Sequence, residues 1–260
     1  MWGKTFRTAH GAESDHALPE RAIYLAGHNC PTGVRAGLRD TMKGSGVVKP
    51  KLHAVSPISI ALVTATLLAS PARAAATATP GMLIKNQDWA CTAGFAARDA
   101  DRNYYLFTSG HCDHPVGAQW TDSQGAALGH ITMSEDQGDQ KDAAIVRLDP
   151  EVGIPVTTVG GAPVRDVLVP SALHVGMPIC KLGAITGETC GTITSVEEHL
   201  VVTSVPAQAG DSGSAGYVKN SDGTVSAVGV LSGTLGDDVN TTVYFPVQPL
   251  LHMWGLALVR

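Results

Sequence analysis

The chain has 260 residues and a formal net charge of −5, and that charge is unevenly divided. Residues 1–74 carry nine Lys and Arg against four Asp and Glu, a balance of +5. Residues 75–260 carry nine against nineteen, a balance of −10. Because binding of a phosphate backbone needs a basic face, this composition argues against nucleic acid as the partner. The acidic part favours solubility outside the cell.

The boundary near residue 74 has the features of a secretory signal. A basic stretch at 43–51 precedes the apolar run 58–69, and Ala72-Arg73-Ala74 follows it. A basic segment, a short apolar core and a small-x-small end are typical of a cleavable signal peptide. The run is shorter than the roughly 20 residues that cross a membrane. We therefore expect residues 42–74 to be a signal peptide, with a buried helix or strand as the alternative.

A secretory signal belongs at an N-terminus, and residue 42 is a methionine. The simplest hypothesis is that translation starts at Met42 and that residues 1–41 are a mis-assigned upstream extension. These residues are polar and have no apolar periodicity and no repeat. The mature protein would then be residues 75–260, exported and without a stable membrane anchor.

Cysteine usage agrees with export. Removing residues 1–74 removes Cys30 and leaves an even number, four. Exported proteins favour disulfides, and four cysteines allow three connectivities. We expect the two pairs that are local in sequence, Cys91–Cys112 and Cys180–Cys190.

Short apolar runs broken by Gly, Asp, Asn and Pro recur after residue 75, which is typical of strands. The runs are 104–108, 143–148, 191–196, 200–204, 225–231 and 241–245. Many short strands at close spacing predict an all-β sandwich or barrel. Only 246–258 has the composition of a short helix. The stretch 151–169, rich in Gly, Pro and Val, is suited to the crossing between two halves.

The stretch Gly210-Asp211-Ser212-Gly213-Ser214 suits a nucleophile on a tight turn. Glycine permits the unusual backbone angles that such a turn needs. Serine is a weak nucleophile and needs a positioned base. The sequence therefore has to supply a histidine and an acid that orients it.

His111 is the candidate base, because it follows an apolar strand and adjoins Cys112, which would hold it still. The candidate acids near it are Asp136, Asp139, Asp142 and Asp149. Asp142 alone begins a strongly apolar strand, where pairing with a histidine would offset its desolvation. The order His111, Asp142, Ser212 is that of the chymotrypsin-type triad.

Four stretches resemble the chymotrypsin/trypsin-like serine proteases, in particular the secreted bacterial branch of streptogrisin and α-lytic protease. In chain order they are 91–95 with 108–112, then 142–146, 180–192 and 210–213. The resemblance implies two six-stranded antiparallel β-barrels, at approximately 83–160 and 165–260, with a short C-terminal helix. It places the catalytic site in the cleft between the barrels.

The resemblance also implies roles for the matched residues. Ser212 would attack the peptide carbonyl, His111 would take and return the proton, and Asp142 would orient His111. The backbone N–H groups of Gly210 and Ser212 would form the oxyanion hole. Ser232-Gly233-Thr234 would pair with the substrate backbone. The implied protein is a secreted serine endopeptidase acting on proteins or peptides, with no cofactor or metal, and a monomer by default.

Lys181 occupies the position at which the bacterial branch places an internal basic residue. No free N-terminal start of the animal type is visible, so we expect an ion pair between Lys181 and Asp211. The chain departs from the family at Ser109, usually Ala, and at Ser214, usually Gly. Pro206 stands about where the family has a cysteine. No acid lies in 205–209, so we expect apolar or small residues before the cleaved bond.

Alternative interpretations remain at this point. His111-Cys112-Asp113-His114 is also a candidate metal cluster. An α/β-hydrolase order exists on paper through Ser212, Asp237 or Asp238, and His252, although its turn needs glycine at position 214. A catalytically inactive protease-fold binding module is the rival from another functional class, and it rests on Ser214 and the reduced set of disulfides. The other histidines, His130, His174, His199 and His252, are expected to be ordinary surface or core residues.

Overall fold

A computed structural model of the chain describes residues 76–138 and 140–260, together with the backbone of residues 23 and 24. The expected signal peptide at 42–74 lies outside the described residues. So does the upstream segment 1–41, apart from those two positions. Among the described residues no helix is long and apolar enough to cross a membrane.

The regular secondary structure of the described residues is almost entirely β-strand. The strands before the middle of the chain are β1 Ile23–Tyr24, β2 Leu83–Lys85, β3 Ala90–Thr92, β4 Ala96–Arg98, β5 Tyr104–Thr108, β6 Gln119–Asp122, β7 Ala127–Asp136 and β8 Asp142–Leu148. Those after it are β9 Thr158–Val159, β10 Ala162–Val167, β11 Pro178–Gly183, β12 Gly187–Val196, β13 Val201–Thr203, β14 Ala215–Lys219, β15 Val225–Leu235, β16 Asp238–Pro246 and β17 Ala257–Leu258. The helical elements are 3-10 turns at Gly110–Cys112, Pro150–Val152 and Pro170–Ala172, and one α-helix, α1, at Val247–Trp254.

The first sheet is an eight-stranded, curled half-barrel. Its strand order is β17-β4-β5-β8-β7-β6-β2-β3, and neighbouring strands are antiparallel. β5 is rich in aromatic side chains, which favour strands. Leu106, Trp120 and Val146 are buried in the core of this sheet. The C-terminal strand β17 belongs to this sheet, because Leu258 pairs with Ala97 of β4.

The second sheet closes into a six-stranded barrel. Its order β14-β11-β12-β13-β16-β15 returns to β14 through the β14–β15 pairing. β10 adds to β15 in parallel, β9 pairs with β10, and β1 pairs antiparallel with the end of β15. Ile179, Ile193 and Val228 are buried in its core.

A third buried cluster contains residues of both sheets and of α1. Phe107 and Ile145 from the first sheet belong to it, as do Val230 and Phe245 from the second. The ring centroids of Phe107 and Trp254 are 5.8 Å apart, so α1 packs against β5. The predicted all-β class, with two barrel-type sheets and a short C-terminal helix, is confirmed.

Gly110 begins the turn that carries His111, and it packs directly on β7. A Cβ atom at this position would overlap the backbone carbonyl of Glu135, which cannot rotate away. We therefore expect Gly110→Ala to lower the free energy of unfolding by about 3 kcal/mol or more. Urea unfolding with an unchanged m-value measures this loss.

Gly117→Ala is the matched control, because Gly117 has a φ of +80° and a Cβ atom there would meet nothing within 4 Å. It should lose only backbone strain of roughly 1–2 kcal/mol. Equal losses in the two variants would contradict the packing argument.

Candidate active site

His111 is held by two contacts with one carboxylate. It lies on the 3-10 turn that follows β5 and is 3% exposed. Its backbone N–H donates to Asp142 Oδ1 at 2.8 Å, and its Nδ1 lies 2.8 Å from Asp142 Oδ2. Because a carboxylate only accepts hydrogen bonds, Nδ1 carries a proton, and in the neutral ring Nε2 is then the atom with the lone pair. His111 Nε2 is buried and has no hydrogen-bond partner among the described residues.

Asp142 is the first residue of β8 and is fully buried. The Ser232 hydroxyl donates to its Oδ2 at 2.5 Å. Desolvation acts to raise the pKa of Asp142, but hydrogen bonds and charge from His111, together with the Ser232 hydroxyl, outweigh it. The pKa therefore lies below its ordinary value. An ionised Asp142 fixes the tautomer of His111.

Ser212 lies between two glycines in left-handed conformations. Gly210 has a φ of +94° and Gly213 of +91°, a region that favours glycine. A Cβ atom on Gly213 would also overlap Thr108 and the carbonyl of Thr92. Ser212 is 3% exposed, and its hydroxyl oxygen has no hydrogen-bond partner among the described residues. The turn thus holds a buried serine hydroxyl that nothing in this part of the chain engages.

Buried hydroxyl groups of the first sheet hold the Ser212 turn of the second. The Thr92 N–H donates to Ser212 O at 2.8 Å, and the Thr92 hydroxyl donates to Gly210 O at 2.7 Å. The Ser109 hydroxyl donates to Leu231 O at 2.7 Å. Because Ser109 lies two residues before His111, these bonds fix the positions of His111 and Ser212 relative to each other.

The two backbone donors predicted for an oxyanion hole are unengaged. Neither Gly210 N–H nor Ser212 N–H donates in the hydrogen bonds of the described residues. The predicted substrate stretch Ser232-Gly233-Thr234 lies near the end of β15. Thr234 pairs there with Tyr24 of β1.

Lys181 and Asp211 form a fully buried ion pair. Lys181 Nζ lies 3.1 Å from Asp211 Oδ2, and both side chains are 0% exposed. Thr186 bridges them, since its hydroxyl accepts from Lys181 Nζ at 2.5 Å and donates to Asp211 Oδ2 at 2.7 Å. Backbone N–H groups of Ile185, Thr186 and Gln208 also donate to the carboxylate.

Burial shifts the two partners of this pair differently. Desolvation lowers the pKa of Lys181, and the attraction of Asp211 only partly opposes it. Desolvation would raise the pKa of Asp211, but hydrogen bonds from Thr186 and the Gln208 N–H, with the charge of Lys181, keep it below its ordinary value. Asp211 is therefore stabilised as a carboxylate by neutral donors as well as by Lys181.

The Ser214 side chain is accommodated without being exposed to solvent, at the position where the family has glycine. Its hydroxyl donates to the carbonyl of Asp211 at 2.5 Å, and its N–H donates to the same oxygen at 3.0 Å. The added side chain is thus hydrogen-bonded inside the turn.

Both expected disulfides are present, and one of them bears on the metal alternative. Cys91–Cys112 joins β3 to the turn of His111, and Cys180–Cys190 joins the paired strands β11 and β12. Donor atoms of Cys91, His111 and Cys112 lie within 4.8 Å of one another. Both sulfur atoms are used in the disulfide, so they are not free thiolates for a metal.

The α/β-hydrolase alternative does not fit the fold. Its acids and base, Asp237, Asp238 and His252, are exposed, whereas Ser212 is buried. Neighbouring strands are antiparallel except for β10 and β15, and no βαβ unit occurs among the described residues. The remaining histidines, His130, His174 and His199, are exposed on the surface.

Three hydroxyl residues of the site, Thr92, Ser109 and Thr186, have roles that the sequence does not indicate. In the sequence they are only members of matched stretches or, for Ser109, a neutral replacement. Each is a small polar residue next to a strand end in an otherwise apolar context, and that is the only local feature that could identify it.

Comparisons with known proteins find bacterial serine proteases. Streptogrisin-C of Streptomyces griseus is 32% identical over 220 residues, which is 79% of this chain and 46% of that protein, so the chain spans about half of its length. The crystal structure of Nocardiopsis protease (NAPase) is 30% identical with a TM-score of 0.59, covering 71% of this chain and 100% of that one. The crystal structure of Thermobifida fusca protease A is 27% identical with a TM-score of 0.58, covering 71% and 99%. No protein-family model matches the chain.

Replacing Lys181 by Met leaves the buried Asp211 carboxylate without its cation. Breaking a buried pair in this way destabilises by about 3–5 kcal/mol. We expect Lys181→Met to lose that much stability in urea unfolding. The double variant Lys181→Met/Asp211→Asn should lose clearly less than the sum of the two single variants. Strict additivity would show that the two charges are not coupled.

Proposed function

The chain belongs to the chymotrypsin-like serine proteases of bacteria, and on this basis we propose that it is a secreted serine endopeptidase. The proposed catalytic residues are His111, Asp142 and Ser212.

The observation that carries the proposal is the state of the two reactive atoms. His111 Nε2 and Ser212 Oγ are both buried and unpaired among the described residues, while Nδ1 of the same histidine is anchored to Asp142. Buried polar atoms without a hydrogen-bond partner are few in folded proteins, and a catalytic role is one explanation for them.

The first half of the reaction forms an acyl-enzyme. Ser212 Oγ attacks the carbonyl carbon of the substrate, and its proton moves to His111 Nε2. Asp142 stabilises the resulting imidazolium through Nδ1. The carbonyl oxygen becomes an oxyanion and is bound by the N–H groups of Gly210 and Ser212. The carbon–nitrogen bond then breaks as His111 returns the proton to the leaving amine.

The second half releases the acyl group. A water molecule gives a proton to His111 Nε2 and attacks the ester carbonyl. The tetrahedral intermediate collapses, Ser212 recovers its proton from His111, and the carboxylic acid product leaves. We propose that an extended substrate pairs with the stretch Ser232-Gly233-Thr234; β1, which pairs with Thr234 in this structure, is not part of the mature chain that we propose to begin at Ala75. No step requires a cofactor or a metal.

A fluorophosphonate probe tests whether Ser212 is an activated nucleophile. We expect the exported protein to be labelled at Ser212, and Ser212→Ala to be unlabelled and inactive on casein. Asp142→Asn should be labelled far more slowly, because the wrong tautomer of His111 is then favoured and turnover falls by about 10⁴ in such a triad.

Thermal unfolding of each variant is the control for folding in this experiment. If correctly folded parent protein takes up no probe and cleaves nothing, the proposed enzyme is excluded. The binding-module interpretation would then hold.

Export is the second part of the proposal, and it rests on the sequence of residues 42–74 and on the two disulfides. We expect a bacterial host expressing the chain to secrete protein whose first residue is Ala75. Intact-mass and N-terminal sequencing of the culture supernatant measure this. A secreted protein that begins upstream of Met42 would contradict the predicted start.

A further inference from the structure

We propose that Ser214 is a positioning residue for the oxyanion hole, acting through the peptide bond between Asp211 and Ser212. This inference rests on the proposed function, because it concerns a donor of the proposed hydrolytic site. It assigns a specific task to a residue that replaces the glycine of the family.

The Asp211 carbonyl oxygen receives two hydrogen bonds from one residue. The Ser214 hydroxyl donates at 2.5 Å and the Ser214 N–H at 3.0 Å. Ser214 is 0% exposed, so no solvent competes for this carbonyl from the side chain's position. Ser214 is itself fixed, since its carbonyl accepts the N–H of Leu231 at 3.0 Å. The carbonyl is therefore held in one orientation by a residue that is itself hydrogen-bonded to β15.

Fixing that carbonyl also fixes the N–H group of Ser212. A trans peptide bond is planar, so the C=O of Asp211 and the N–H of Ser212 lie in one plane and point in opposite directions. An amide whose carbonyl accepts hydrogen bonds is polarised and becomes a stronger donor. Ser214 therefore acts on both the direction and the donor strength of the Ser212 N–H.

The preceding peptide bond has a matching constraint from the other sheet. Its carbonyl, that of Gly210, accepts the Thr92 hydroxyl at 2.7 Å. The two peptide units that flank Asp211 are thus each held by a buried hydroxyl, one from Thr92 and one from Ser214. The Ser212 N–H itself donates to no described residue and is left for a ligand. A role of Ser214 in turn stability alone and a role in positioning the Ser212 N–H make different predictions.

Kinetics of Ser214→Ala separate the two roles. The Ser212 N–H would bind the oxyanion of the transition state more strongly than the substrate carbonyl. Weakening this bond through loss of the Ser214 hydroxyl should therefore lower kcat, with little change in KM. We expect kcat on a peptide amide to fall about tenfold, the equivalent of roughly 1.4 kcal/mol for one buried hydrogen bond. Affinity for a peptide boronic acid, which forms a tetrahedral adduct with Ser212, should fall by a similar factor. Ser214→Gly should behave like Ser214→Ala or worse.

Ser226→Ala is the matched control. Ser226 is 1% exposed and its hydroxyl accepts from Asn220, but it lies at the opposite end of β15 from Ser232. It should lose similar stability and keep the parent kcat. The proposal is wrong if Ser214→Ala keeps kcat within about twofold, or if Ser226→Ala loses as much kcat as Ser214→Ala does.

A measurement that needs no turnover keeps this inference separate from the proposed function. The amide proton of Ser212 should shift upfield and exchange faster in Ser214→Ala than in the parent, as read from 1H–15N NMR spectra. Ser226→Ala should leave that resonance in place. A parent protein that neither labels nor cleaves would exclude the enzyme, whereas an unchanged Ser212 amide would exclude the role of Ser214 in either case.

Discussion

A buried negative charge beside the proposed nucleophile is the constraint on which the rest of the site depends. Asp211 is 0% exposed, and an isolated carboxylate there would destabilise the fold by several kcal/mol. Lys181 is itself desolvated, and it is one of several groups that stabilise this charge. The end of the β11–β12 hairpin and the chain around Gln208 supply the remaining donors. Gly183 has no room for a side chain, because a Cβ atom there would overlap the Asp211 carboxylate.

Several of the donors to this charge come from the chain that follows β11. β11 ends at Gly183, which lets Ile185 and Thr186 fold back and direct their N–H groups at Asp211. The aspartate then anchors the backbone that presents Ser212. The position of the proposed nucleophile is thus a consequence of how the second barrel compensates one charge, and the hydroxyls of the first sheet add the link to His111.

Local patterns predicted much of the fold and only part of the site. The apolar runs 104–108 and 143–148 correspond to β5 and β8, because a buried strand has a strong local composition. The two-residue strand β17 has no such pattern, and its partner β4 lies far away in sequence.

His111 and Ser212 could be selected because tight turns and strand ends leave local marks in a sequence. Their partners could not be predicted in the same way. The bond from the Thr92 hydroxyl to Gly210 spans 118 residues, and the bond from the Ser109 hydroxyl to Leu231 spans 122. A threonine or serine in a strand is compatible with exposure, with a cap or with a buried contact, and only the packing of two sheets decides among these.

The departures from the family are best understood together. Pro206 stands where the bacterial branch has a cysteine, so the segment that leads into the Ser212 turn lacks that covalent tether. The turn is held by non-covalent bonds: the Thr92 hydroxyl on Gly210, the Ser214 hydroxyl on Asp211 and the Gln208 N–H on the Asp211 carboxylate. A buried hydrogen bond contributes about 1 kcal/mol and also fixes the orientation of the peptide plane whose carbonyl accepts it. A disulfide some residues away does not fix the orientation of a particular peptide plane. The Ser214 side chain is then part of how this chain holds its turn, because its hydroxyl donates to the carbonyl of Asp211.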